Sequence, residues 1–160
     1  MAISRLHRSI QISKRETNIL ALTESQILLQ RAQQFAELAF EASVQTDAEG
    51  VIGDSIWEEF RRSGLATSPF PKEFGGADLC EPGRASNLCT ILRLIGSADL
   101  SIARIFEGHV NAVLLVARYG SRDQLRALSE RVARGALSAV WGADDAQGLH
   151  VINSSEPVLQ

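Results

Sequence analysis

Hydrophobic positions along this chain recur mostly at steps of three and four, in blocks separated by glycines, prolines and helix-capping residues. Thr23-Glu24-Ser25-Gln26 has the form of a capping box, in which a hydroxyl and a Gln three residues on satisfy backbone donors reciprocally. After it Leu28, Ala32, Phe35, Ala39 and Ala42 share one helical face. The spacing predicts a first helix that gives way to a loop over Asp47–Gly53. Asp54 is the expected N-cap of a short second helix carrying Ile56, Trp57 and Phe60, with Gly64 as its stop. The next stretch, Ser68-Pro69-Phe70-Pro71-Lys72-Glu73-Phe74-Gly75-Gly76, breaks any helix with two prolines and a glycine pair. It reads as a loop anchored by its two phenylalanines.

Pro82 suits the first turn of a third helix, whose Ala85, Leu88, Ile91, Leu92 and Ile95 keep helical spacing until Gly96 ends it. A fourth helix is expected from about Asp99 to Tyr119. Its apolar residues cover most of the circumference, which predicts a buried central helix with one wet stripe of Arg104, Glu107, Asn111 and Arg118. Gly120 stops it, and Ser121-Arg122-Asp123-Gln124 is a second capping box, opening a fifth helix with Leu125, Leu128 and Val132 inward and Gly135 at its end. From Ala136 the pattern changes to alternation, with Leu137, Ala139 and Trp141 set against Ser138 and Val140, and Leu149, Val151 and Ile152 further on. The fold class expected is therefore mainly α: an up-and-down or orthogonal bundle of about five helices over 23–135, followed over 136–160 by the first one or two β-strands of an incomplete β domain. Residues 1–22 read as a frayed, solvated N-terminal extension. Two strands alone are marginal in water, so the chain is expected either to continue in a parent protein or to be a truncated relative.

Composition adds limits rather than a function. The 160 residues suit one domain with a core of its own, and 45% hydrophobic with 22% charged residues is ordinary for a globular protein. A formal charge of -3 points to neither nucleic acid nor an anionic membrane as partner. Cys80, Cys89, His7, His109 and His150 have no metal-ligand spacing, so no metal site is expected and free thiols in a reducing compartment are the simpler reading. No uninterrupted apolar run approaches the roughly 20 residues that span a bilayer, and the first residues lack the apolar centre of a secretory signal, so a cytoplasmic location is expected. Arg5, Arg8, Lys14 and Arg15 precede the first acid, Glu16, as in an organellar transit peptide, but short basic ends are common.

Three stretches carry a resemblance. Ser63-Gly64-Leu65 with Pro71-Lys72-Glu73-Phe74-Gly75-Gly76, then Ser97-Ala98-Asp99 leading through Phe106-Glu107-Gly108-His109-Val110 to Tyr119-Gly120-Ser121-Arg122-Asp123-Gln124, and finally Val132-Ala133-Arg134-Gly135-Ala136-Leu137 running into Trp141, are similar in order and spacing to the acyl-CoA dehydrogenase family. The likeness spans roughly Thr23 to Gly148. It implies an N-terminal helical domain that meets a middle β domain and a C-terminal bundle around FAD and an acyl-CoA substrate, in a homo-oligomer served by an electron-transfer flavoprotein. The family's catalytic carboxylate belongs to the third domain, so no catalytic residue is assigned here and the chain is expected to be inactive alone. Ala103, Arg104, Phe106 and Glu107 match the part of the central helix at the bottom of the acyl pocket. Trp141, Gly142 and Ala143 match the flavin-contacting passage, although Gly142-Ala143-Asp144-Asp145 stands where many relatives continue with Thr-Glu-Pro. Loss of that hydroxyl removes a hydrogen bond worth about 0.5 to 1.5 kcal/mol.

Blander readings stand beside these. Glu107 could simply pair with Arg104 on the surface, an interaction worth about 0.2 to 0.5 kcal/mol. His109, with no nucleophile beside it in sequence, reads as a packed histidine satisfied by a hydrogen bond. Trp57 and Trp141 read as core or domain-contact residues. Gly75 and Gly76 lack the strand and lysine of a phosphate loop, and Asp144 and Asp145 read as a solvated turn. Two rivals to the dehydrogenase remain: a flavin-dependent monooxygenase of the same fold, and a non-enzymatic helical interaction module.

Overall fold

A computed structural model describes residues 23–140. Five α-helices follow in order: α1 (Glu24–Glu49), α2 (Asp54–Arg62), α3 (Ala85–Ala98), α4 (Leu100–Tyr119) and α5 (Arg122–Ala133). α1 packs chiefly on α3, α3 on α4, and α4 on α5, with α2 set against α1. No strand occurs among the described residues, and 136–140 adopt no regular element. The remainder of the expected strands lies outside the described residues.

Local chemistry accounts for most helix ends. Both capping boxes form, with Thr23 accepting from the Gln26 N–H at 3.2 Å and Ser121 from the Gln124 N–H at 3.2 Å. α1 runs further than its expected loop, through Asp47, because the helix meets no breaker until Gly50, which takes a left-handed φ of 67°. The cap of α2 falls on Gly53 and not on Asp54, which is the first helical residue, where its charge favours the helix dipole.

Gly96 does not end α3. The helix continues to Ala98, and Gly96 faces α4, where a Cβ would make ordinary contact at 3.5 Å with the Cβ of Ala103. The stop is Asp99 instead, extended at φ −152° and ψ 115°. Its N–H closes α3 on the Ile95 carbonyl at 2.8 Å, and its carboxylate caps α4 by accepting from the Ile102 N–H at 3.0 Å. One residue thus ends one helix and starts the next.

The core holds an aromatic cluster. Phe60 of α2 meets Phe35 of α1 at 5.3 Å, Phe106 of α4 at 5.5 Å and Trp57 at 6.0 Å between ring centroids, each edge to face, the arrangement ring quadrupoles favour. Ile91, Ile95, Ile102, Val113 and Val132 extend it. The loop between α2 and α3 is tied to itself and plugged by Phe70. Its Ala77 and Leu79 amides both donate to the Ser68 carbonyl, and Asp78 accepts from the Lys72 amide at 2.9 Å. Phe74 packs on the core edge beneath the Arg122 guanidinium, 5.6 Å from the ring centroid.

α4 is not buried all round. Ile102, Ala103, Phe106, His109, Val110, Ala112 and Val113 face the core, whereas Leu100, Ile105, Leu114, Leu115 and Tyr119 are exposed. By length and hydropathy this helix could cross a membrane, but its packed face is that of a core helix.

Candidate functional site

The four residues expected at the acyl pocket share a helix but not a face. Ala103 and Phe106 are buried, whereas Arg104 is exposed and Glu107, one turn from both Ala103 and Arg104, sits half-buried at the boundary. Phe106 is fully buried in the aromatic cluster and Ala103 sits against Gly96, so both shape the site only from behind. Arg104 reaches into solvent and pairs with Glu107 one turn on. Asn111, one further turn along, donates from Nδ2 to Glu107 Oε1 at 2.6 Å. Three polar side chains therefore form a continuous row along the outer face of α4, flanked by exposed Ile105 and Leu115.

Gly108 and His109 complete this part of the helix. His109 is wholly buried, with Nε2 2.8 Å from the Ala66 carbonyl and Nδ1 accepting the Ser138 N–H at 3.1 Å. Burial pushes its pKa below the ordinary value, outweighing the hydrogen bond to the Ala66 carbonyl, which favours the charged form. It is a satisfied core histidine, with two bonds where the sequence led us to expect one. Asn111 and Ser138 were not singled out as site residues. Asn111 had a signal in its four-residue spacing from Glu107; Ser138 had none, because its partner lies on another element.

Other chemistry-bearing residues are placed apart from this face. The Cys80 thiol is pushed up to about 11 by burial and by the neighbouring Glu81 charge, which leaves little reactive thiolate at neutral pH. Among the described residues no group of three His, Cys, Asp or Glu is placed to hold a metal. A cavity of about 480 Å³ between α1 and the 64–77 loop is lined by Glu24, Arg31, Thr67, Lys72 and Gly76, and by neither Arg104 nor Glu107. The outer face of α4 is an open surface, the form of a wall and not of a closed pocket.

The match to known proteins decides the family. The model described as acyl-CoA dehydrogenase, N-terminal domain, matches residues 23–136. The chain belongs to the acyl-CoA dehydrogenase family. No curated relative and no solved structure matches it significantly. The mainly α bundle is the architecture expected of this family's N-terminal domain. Acyl-CoA dehydrogenases are generally flavin-dependent. Trp141, Gly142 and Ala143 lie outside the described residues. On the α4 face Arg104 is the one cation of the row, and Gly108, Ala139 and Val140 offer no further charged side chain for a pyrophosphate. The α4 face of this acyl-CoA dehydrogenase domain thus does not by itself fit a flavin cradle.

Proposed function

We propose that the chain is the helical domain of a flavin-dependent oxidoreductase acting on the CH–CH bond of an acyl thioester, and that the outer face of α4 forms one wall of its acyl pocket. The family match over 23–136 carries the reading. The row of Arg104, Glu107 and Asn111 gives the wall its character. A guanidinium can hold a carboxylate with two parallel hydrogen bonds, whereas an alkyl chain laid over the row would strip water from charged groups with nothing in exchange. The wall therefore suits a short acyl group with a polar or acidic end, and disfavours a long alkyl chain.

FAD supplies a hydride acceptor for such a reaction. We place Trp141, Gly142 and Ala143 next to it, the base for the α proton outside this chain, and the working enzyme in a cytoplasmic homo-oligomer that passes electrons to an electron-transfer flavoprotein. The described residues orient the acyl group and keep water from it. A monooxygenase relative would use the same wall, and its hydroxylated product would distinguish it from an enoyl thioester.

Titrating the chain with FAD while following flavin fluorescence tests the division of labour. The account expects no tight binding and no turnover of acyl-CoA by this chain. Stoichiometric binding would show that the flavin site lies within it and would overturn that division.

A further inference from the structure

The segment Ala136–Val140 leaves α5 without entering a helix or strand, yet α4 holds it at defined points. Leu137 packs on the core. Ser138 gives its N–H to His109 Nδ1 at 3.1 Å. Ala139 lies over Gly108, where an added Cβ would meet the Ala139 Cβ at 3.8 Å, ordinary van der Waals contact.

The other end of the imidazole is anchored in the interior. A carbonyl only accepts and a backbone amide only donates, so the Ala66 oxygen requires the proton on Nε2 and the Ser138 amide requires Nδ1 bare. The two partners fix one neutral tautomer, and the ring is also held edge-on to Phe70 at 6.4 Å between centroids. A rigid helix, a buried ring and the departing chain are thereby joined in series.

We propose that Gly108 and His109 form a seat for the departing segment, and that His109 is a positioning residue which, through Ser138, fixes the line along which residues 136–140 leave the helical domain. The seat stands on its own geometry. Its consequence for catalysis rests on the proposed function, in which Trp141, Gly142 and Ala143 approach the flavin.

Long-range nitrogen–proton spectra of the full chain report the tautomer, and amide exchange at Ser138 reports the seat. The expected result is Nε2 protonated, Nδ1 bare, and Ser138 protected. His109→Leu should speed Ser138 exchange about tenfold, and His109→Gln, whose amide carries both an acceptor and a donor, should restore most of the protection. Gly108→Leu, at a half-buried position, should expose Ser138 while the amides of Ile102 and Val113 stay protected, so the seat remains testable if His109→Leu does not fold. A proton on Nδ1, or Ser138 exchange unchanged in both leucine variants, would overturn the seat. A failure of the flavin reading would leave Ser138 protection untouched, so the two outcomes are separable.

Discussion

Gly76 touches the backbone of Phe70 so closely that a Cβ at Gly76 would stand 1.8 Å from the Phe70 carbonyl oxygen. That contact folds the 68–80 loop onto itself and lets Phe70 plug the core. Gly76→Ala should therefore cost about 3 kcal/mol or more, since backbone and not a flexible side chain must give way. Gly75→Ala faces open space and only a left-handed φ of 81°, so about 1 to 2 kcal/mol is expected. Urea denaturation of the two variants checks the order.

His109 makes stability depend on pH with a definite sign. In the folded chain burial lowers its pKa, while the unfolded chain titrates near 6.5. Below that value the unfolded state binds more protons, so the contribution of His109 is complete above about 6.5 and is lost as pH falls through the lowered folded pKa. His109→Gln should be less sensitive to acid than the native chain over that window. Denaturation midpoints that fall in parallel for both would contradict the assignment.

Asp99 both stops α3 and caps α4. Asp99→Ala should destabilise by about 1 kcal/mol, whereas Asp99→Asn and Asp99→Ser keep an acceptor and should lose much less. Thermal melts of the three variants test this.

Arg104 and Glu107 should contribute little to stability. Their pair is largely exposed, 76% for the arginine side chain, and such pairs are worth about 0.2 to 0.5 kcal/mol. Arg104→Ala should leave the melting curve close to native. A loss of several kcal/mol would show that the pair is structural and not kept for a ligand.

Much of the fold was legible because helix ends depend on a few neighbouring residues. Thr23 with Gln26, Ser121 with Gln124, and the stops at Gly64, Gly120 and Gly135 are signals complete within one turn. Gly96 misled because a glycine inside a helix looks in sequence like one that ends it. The hydrophobicity of α4 likewise does not reveal which side is covered, since Leu100 and Leu115 read the same as Ile102 and Val113. At the site, the three-residue spacing of Arg104 and Glu107 pointed to their pair, whereas the burial of Ala103 and Phe106 depends on what packs against α4. The His109 to Ser138 bond spans 29 positions, and no local pattern encodes it.

The central claim is that the outer face of α4 meets the acyl group, and residue-resolved NMR of the chain during titration with acyl-CoA to roughly millimolar concentration tests it most directly. A short thioester ending in a carboxylate should shift Arg104, Glu107, Gly108 and Asn111, and a long alkyl thioester should shift them less. Shifts confined to the cavity lined by Arg31 and Lys72, or none from either ligand, would contradict the account.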